Sequence, residues 1–194
     1  MFPNLSPHLP VVQVILPLIA APICVIFRRA GFAWLIALIA SWLSLGVSIF
    51  LLEQVISNGP ISYLLGNWPA PWGIEYKVDI LSAFVMLIVT LIGAIVMVFA
   101  PKSVGLEIPE DRTYLFYTMY LLTFAGLLGI TITADAFNLF VFLEISSLSS
   151  YVLISLGAKR NALTAAFRYL ILGTVGATFY IIGVGLMYQM TGTL

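Results

Sequence analysis

The 194-residue chain is 62% hydrophobic and only 8% charged, so it has too little polar surface to cover a soluble globule. Eight Lys and Arg residues balance eight Asp and Glu residues, which indicates neither a basic nucleic-acid-binding surface nor an acidic disordered tail. A single cysteine, Cys24, excludes internal disulfides and cysteine-based metal clusters. The composition therefore predicts a polytopic membrane protein.

Six apolar runs are long enough to cross a hydrocarbon core of about 30 Å as helices, and they lack the alternation of membrane strands. In chain order, the runs are 9–27, 31–52, 80–100, 113–133, 136–157 and 163–190. We expect an all-α membrane protein with about six transmembrane helices in a single domain over residues 1–194. The last run exceeds one crossing, which predicts either a tilted helix or an interfacial turn.

The basic residues predict the orientation, because those in short loops mark the cytoplasmic side. Lys77 is the one basic residue on one side of the predicted spans. The six on the other side are Arg28, Arg29, Lys102, Arg112, Lys159 and Arg160. We therefore expect a multi-pass protein of the inner or plasma membrane with both termini on the non-cytoplasmic side. Because the first ten residues hold no Lys or Arg, we expect the first span to be retained rather than cleaved as a signal peptide.

The exterior loop at 53–79 has a turn-rich centre at 66–73, flanked by the short stretches 61–65 and 74–78. These stretches predict a β-hairpin. Trp68 and Trp72 fit a membrane interface or a subunit contact better than a ligand site, because indole combines an apolar ring with a polar N–H.

Glu144 is the most informative charge, because it lies about 12 Å from the outer end of the fifth span at 1.5 Å per residue. An intramembrane carboxylate must be protonated, paired or hydrated, and such residues often mark ion or proton paths. The alternative is a structural carboxyl hydrogen-bonded between helices. Ser147 and Tyr151 share its helix face and are candidates for lining or hydrating a path. For the neighbouring serines, the sequence leaves two roles equally open: they hydrate a path, or they are small spacers between closely packed helices.

Arg168 lies within the sixth span, where it either faces inward or extends its side chain to the interface. A short loop makes spans five and six antiparallel neighbours, so a pairing of Arg168 with Glu144 is sterically possible. The charges of Lys77, Asp79 and Asp135 fall at span ends and are interpreted as boundary markers.

The sequence predicts neither a cofactor nor a metal site. His8 has no second metal ligand nearby, and the glycines lack the spacing of a phosphate-binding loop. The glycines of spans four and six instead favour close helix packing. They are Gly126, Gly129, Gly173, Gly176, Gly183 and Gly185.

Residues 135–154, DAFNLFVFLEISSLSSYVLI, resemble the fifth-helix motif of the antiporter-like subunits shared by Mrp-type cation/proton antiporters and respiratory complex I. Further likeness lies in 166–173, in 183–188 and 191–194, and in the loop with Trp68 and Trp72 ahead of 79–82. The closest variety is the D-type subunit of the Mrp antiporter, and the resemblance covers nearly the whole chain.

The resemblance implies that Glu144 belongs to a proton or cation pathway. Complex I members often carry lysine at the position of Arg168. Because arginine hardly releases a proton, Arg168 is expected to modulate Glu144 electrostatically rather than relay protons. Family members have about fourteen helices, and the helix after Leu194 carries a lysine coupled to the glutamate. We therefore expect a fragment, a split gene product, or a chain completed by another, and no transport by this chain alone.

The resemblance leaves three functions open. The first is a membrane subunit of a monovalent cation/proton antiporter, with other membrane subunits, the lipid bilayer, protons and monovalent cations as its partners. The second is a proton-pumping, non-redox subunit of a complex I-like NADH-quinone oxidoreductase or membrane hydrogenase. The third is a structural subunit without its own path. Whether the chain counts as part of an enzyme depends on this choice.

Overall fold

The computed structural model describes residues 6–68 and 72–193, so Pro69, Ala70 and Pro71 at the predicted hairpin tip lie outside it, as do residues 1–5 and Leu194. Short 3-10 turns occur at Ser6–His8, Leu65–Asn67 and Glu110–Arg112. The main elements are α1 (Leu9–Phe27), α2 (Ala30–Asn58), β1 (Ile61–Leu64), β2 (Glu75–Val78), α3 (Ile80–Glu107), α4 (Thr113–Ile132), α5 (Ala136–Ser155) and α6 (Asn161–Thr191). The six α-helices are long and apolar enough to cross a membrane, which confirms the predicted all-α polytopic fold.

Two helices extend well past their predicted spans, and a third decides between two predicted alternatives. Helix α2 continues to Asn58, so the first residues of the predicted exterior loop are helical. Helix α3 continues to Glu107, about two turns past the predicted end. Helix α6 is continuous from Asn161 to Thr191, so the alternative of an interfacial turn within it is wrong. An apolar run marks the part of a helix that lies in lipid. The helix itself, defined by its backbone hydrogen bonds, continues beyond that run.

A tryptophan explains why α3 passes through Pro101. Proline has no N–H, so Pro101 leaves the carbonyl of Met97, four residues earlier, without its helical donor. The indole N–H of Trp34 on α2 donates to that carbonyl at 2.9 Å. The side chain of α2 therefore replaces the missing backbone bond and also joins the two helices.

Helix α4 is the centre of the bundle, because it packs against α1, α2, α3 and α5. Its core has two layers. The layer near the basic loops is rich in small side chains, with Ala33 and Ala37 of α2 against Leu121 of α4. The layer near the hairpin contains larger ones, including Met86 and Leu128. Small residues let helix backbones approach closely, which is how membrane helices gain packing energy without a hydrophobic driving force.

A buried polar layer joins the first three helices. The amide of Gln13 on α1 donates to the Ser48 hydroxyl on α2 at 2.8 Å, and the Thr90 hydroxyl on α3 donates to the same oxygen at 3.1 Å. All three side chains are fully buried. Two turns further along, Ser41 of α2 lies 3.1 Å from the hydroxyl of Tyr120 on α4. These bonds fix the rotation of helices whose apolar faces are otherwise nearly uniform.

The loop between α2 and α3 forms the predicted hairpin. Strands β1 and β2 pair antiparallel, with Ile61 opposite Val78 and Leu64 opposite Glu75. The next element begins with a capping box, in which the Ser82 N–H donates to the Asp79 carboxylate at 2.7 Å and the Asp79 N–H donates to the Ser82 hydroxyl at 2.8 Å. The hydrogen bond from the Ser82 N–H is the main cause that lowers the pKa of Asp79.

Candidate functional site: the carboxylate in helix α5

The position of Glu144 is set by the start of α5. The Asp135 carboxylate accepts a hydrogen bond from the Asn138 N–H at 2.6 Å, and the Asn138 amide donates to the Thr133 hydroxyl at 2.8 Å. This N-cap fixes the first turn of the helix. Glu144 then lies about 12 Å along the axis from Ala136, at 1.5 Å per residue, in a helix about 30 Å long. The carboxylate is therefore near the middle of a membrane-spanning segment.

The Glu144 side chain is half-buried. Among the described residues it forms no side-chain hydrogen bond and no ion pair. Burying a charged carboxylate without a partner costs several kcal/mol of free energy, at least as much as losing a hydrogen bond to a charged group. The interhelical hydrogen bond of the structural alternative is not formed within this part of the chain.

Four contacts define how α5 and α6 are aligned. At one end, the Tyr180 hydroxyl donates to the Ala136 carbonyl at 3.1 Å, and the Phe140 and Tyr180 rings stack with centroids 6.3 Å apart. At the other end, the Tyr151 ring lies edge-on to Tyr169, with centroids 4.8 Å apart, and the Tyr151 hydroxyl contacts Gly173. These contacts place Glu144 level with Gly176.

The same alignment separates Glu144 from Arg168. Arg168 is exposed and lies level with Val152, two turns away from the level of Glu144, or about 12 Å at 1.5 Å per residue. No ion pair joins them in the described residues. The pairing that the antiparallel arrangement allowed is therefore not formed. Short loops predict that two helices are neighbours, but they do not predict which residues lie level.

The hydroxyls around Glu144 divide into two groups. Ser146, Ser149 and Ser150 each donate to a carbonyl of α5 itself, at 3.1, 2.7 and 2.7 Å. Ser147 is half-buried and has no hydrogen bond to a described residue, whereas Tyr151 is buried with its hydroxyl against Gly173. Ser147 is therefore the one serine of the four with its hydroxyl available on the face of Glu144.

Small residues pack α5 against α4. A side chain at Gly126 would lie 2.7 Å from Cβ of Ser146, and one at Gly129 would overlap the Phe142 ring. Ser146 is thus a packing spacer. Gly173 likewise allows contact between α6 and α5, but the remaining three glycines of α6 have no neighbour within 4 Å in the described residues. Those three are Gly176, Gly183 and Gly185.

The sequence did not predict a group of polar contacts between strand β2 and the connection from α4 to α5. The Ala134 N–H, between α4 and α5, donates to the Glu75 carbonyl of β2 at 3.0 Å, and Tyr76 forms a β-bridge with Thr133. The Tyr76 ring is buried and lies 6.3 Å from the Phe142 ring. Burial raises the pKa of Tyr76, and a hydrogen bond with Asn138 partly opposes this. The alternation in β2 signals a buried Tyr76, but no local pattern signals its distant partner.

Within residues 6–68 and 72–193, no group of three or more His, Cys, Asp or Glu side chains has a metal-binding arrangement. The His8 ring lies at the hairpin, with Nδ1 3.0 Å from the Tyr63 hydroxyl.

Comparison with known proteins agrees with the resemblance. Residues 133–194 match the family described as NADH:quinone oxidoreductase/Mrp antiporter, TM. The N-type subunit of NADH-quinone oxidoreductase from Desulforudis audaxviator is 39% identical over 98% of this chain and 38% of its own length. The D-type subunit of the Na(+)/H(+) antiporter from Alkalihalophilus pseudofirmus is 31% identical over 96% of this chain and 38% of its own length.

Two solved structures have the same fold. A chain of the membrane-bound sulfane sulfur reductase, an archaeal respiratory membrane complex, superposes with a TM-score of 0.87 at 31% identity, over 95% of this chain and 38% of that chain. A chain of the Mrp complex from a Dietzia species superposes with a TM-score of 0.85 at 23% identity, over 98% of this chain and 35% of that chain.

The helices and these matches define a multi-pass helical membrane protein. More narrowly, the chain belongs to the antiporter-like membrane subunit family shared by Mrp-type cation/proton antiporters and respiratory NADH:quinone oxidoreductases. It spans less than two fifths of the length of these relatives.

Proposed function

We propose that this chain is a membrane subunit, or part of one, of a monovalent cation/proton antiporter, and that Glu144 is a carboxylate of its proton or cation pathway. The observation that supports this most directly is the half-buried Glu144 in the middle of α5, without an ion pair or hydrogen bond in the described residues. A carboxylate with both oxygens available can bind either a proton or a monovalent cation.

In this proposal Arg168 modulates Glu144 from a distance. At an effective dielectric constant of 20, two unit charges about 12 Å apart interact by on the order of 1 kcal/mol. The positive charge thus acts on the carboxylate through its electric field and not through contact. Arginine stays protonated, so Arg168 takes no part in proton relay.

Ser147 and Tyr151 are proposed to line the path next to Glu144. Ser147 offers a hydroxyl that α5 does not use for its own carbonyls, so it can hydrogen-bond water or a hydrated cation. Tyr151 is buried between α5 and α6 and limits the width of the path on the side of the basic loops.

The wider setting is also a proposal. The six basic residues on the side of the α1–α2, α3–α4 and α5–α6 connections favour a cytoplasmic location for that side, with the hairpin on the non-cytoplasmic side of the inner membrane. We propose that the chain assembles with other membrane subunits, as the Mrp complex and the sulfane sulfur reductase complex consist of such assemblies.

The test is cation-dependent collapse of the pH gradient in everted vesicles that contain the complete complex. Glu144→Gln keeps the size of the side chain and removes its charge, so we expect loss of at least about 90% of the activity if the carboxylate carries the ion. Glu107→Gln, at the exposed end of α3, is the matched control and should leave activity unchanged. Near-normal activity of an assembled Glu144→Gln complex would favour the structural-subunit function instead.

One observation favours a second function. The relative at 39% identity is named as a subunit of NADH-quinone oxidoreductase, so a redox-driven proton pump is the competing candidate. In the same vesicles, sodium or potassium alone should drive proton movement if the antiporter proposal is right. A strict requirement for an electron donor such as NADH would favour the pump.

A further inference from the structure

A cavity of about 460 Å³ lies at the hairpin end of the bundle, between the start of α3 and the end of α4. Its volume is within the range of sites for small molecules. Lys77 and Asp79 lie on its wall together with Ser82, Ile130 and Thr131. Neither Glu144 nor Arg168 lines it, so this cavity is separate from the proposed pathway.

The positive side of the cavity is Lys77. It points outward from β2, where its neighbours Tyr76 and Val78 are buried, and it forms no ion pair in the described part of the chain. The N-terminus of α3 adds no free anion site, because the Asp79 carboxylate already caps it. The ammonium group of Lys77 is therefore the group that can contact a phosphate.

The acceptor side of the cavity is the end of α4 together with Asp79. In a continuing helix, the N–H groups of Ala134 and Asp135 would donate to the carbonyls of Ile130 and Thr131. Here the Ala134 N–H donates to Glu75, and the Asp135 N–H lies 3.5 Å from the Thr133 hydroxyl. Two carbonyls at a negative helix end thus lose their usual donors, and their residues line the same cavity as Asp79.

The surface beneath the cavity is apolar. Leu81 and Phe84 on α3 are 71% and 53% exposed, and Val85 and Ile88 continue the same surface down the helix. This apolar strip begins directly below the two charged residues, as a membrane-embedded surface does below the headgroup region.

We propose that this cavity binds the headgroup of a phospholipid with a primary ammonium, phosphatidylethanolamine. The phosphate lies near Lys77, the ammonium donates to Asp79 and to the free carbonyls of α4, and an acyl chain follows the strip from Leu81 to Ile88. A choline headgroup has the same charges but no N–H to donate. A glycerol headgroup lacks the positive charge that the acceptor side favours.

The experiment uses the complete complex in nanodiscs that contain trace phospholipid with a diazirine on one acyl chain, the headgroup being ethanolamine, choline or glycerol. After irradiation, mass spectrometry measures labelling of peptides that contain residues 81–88 and 130–134. We expect the ethanolamine lipid to label these peptides about fivefold more than the choline lipid. A difference in affinity of this size corresponds to about one charged contact at a protein surface.

Three variants separate the contacts. Asp79→Asn keeps an N-cap, because Asn caps helices well, and should reduce the preference for ethanolamine over choline. Lys77→Gln should lower labelling by both lipids alike, because both carry the phosphate. Lys102→Gln, at the opposite end of α3, is the control and should change neither. Equal labelling by ethanolamine and choline lipids in the unmodified complex, stronger labelling by the glycerol lipid, or a preference that survives Asp79→Asn would each overturn the proposal.

Discussion

Helices α1–α4 and helix α6 use similar residues in different ways. Within the most apolar stretch of each helix, half of the residues of α4 are buried inside the bundle, compared with 6% of the residues of α6. In the first four helices, some hydroxyls also bond to other helices, as Ser48 does with Gln13 and Thr90. In α6, the hydroxyls of Thr174 and Thr178 donate to carbonyls of the same helix. Polar residues in a membrane helix therefore indicate packing only when their partners lie on another helix.

The largest expected effect concerns glycine. Gly129→Leu would drive a side chain into the Phe142 ring, and overpacking of this kind should cost at least about 3 kcal/mol of stability. We expect little assembled complex in membranes, measured by solubilisation and size-exclusion chromatography. Gly183→Leu on α6 is the matched control, with open space around the position, and should change stability by less than about 0.5 kcal/mol.

An equal loss of assembly with Gly183→Leu would break the contrast between the two regions. It would mean that another segment or subunit covers α6 in the assembled protein. The effect of Gly129→Leu would then no longer distinguish the closely packed helices α1–α4 from the exposed helix α6.

A smaller effect is expected for the polar layer. Ser48→Ala removes the acceptor of the buried Gln13 amide and should cost about 2 kcal/mol, whereas the Thr90 hydroxyl keeps the Met86 carbonyl as a partner. Thr178→Ala on α6 removes a bond within one helix and should cost less than about 0.5 kcal/mol. Unfolding of the purified complex in increasing SDS measures both. Similar values for the two variants would contradict the distinction between interhelical and intrahelical hydroxyls.

The smallest effect is pH-dependent and lies at the start of α3. Helix α6 begins without a side-chain cap, whereas Asp79 caps α3. Because hydrogen bonding lowers the pKa of Asp79 below its ordinary value of 3.8, its charge stabilises the fold above that value. This contribution is lost as the pH falls through the lowered pKa.

Asp79→Asn should therefore lower the melting temperature of the complex slightly at pH 7, and the difference from the unmodified protein should shrink below pH 4. Thermal unfolding at a series of pH values measures it. Asp111→Asn, in an exposed turn without a capping bond, should show no such dependence. A difference at Asp79 that stays constant down to pH 3 would show that its charge does not act through the cap.

The sequence was sufficient for the helices, the hairpin and the position of Glu144 along α5, because length, apolarity and alternation are local properties. It was not sufficient for contacts between elements. The level of Arg168 relative to Glu144 depends on how two antiparallel helices slide along each other, and loop length does not determine this. The Gln13 layer depends on helix rotation, which nearly uniform apolar faces leave open.

The helix ends show the same limit from another side. Pro101 directly follows the predicted end of the third span, yet α3 continues past it because Trp34 on a different helix supplies the missing donor. A single sequence does not reveal such compensation between distant residues. It likewise does not reveal the bridge between Tyr76 and Thr133, which joins the hairpin to the end of α4.

The bridge between Tyr76 and Thr133 has a consequence for biosynthesis. The hairpin leaves the ribosome well before residue 133, so its strands are made while their docking partner does not yet exist. The two strands can pair with each other at once, but the bridge can close only after α4 has entered the bilayer and the connection to α5 has reached the same side. The contact between the hairpin and the end of α4 therefore forms late, when α5 begins to insert into the bilayer.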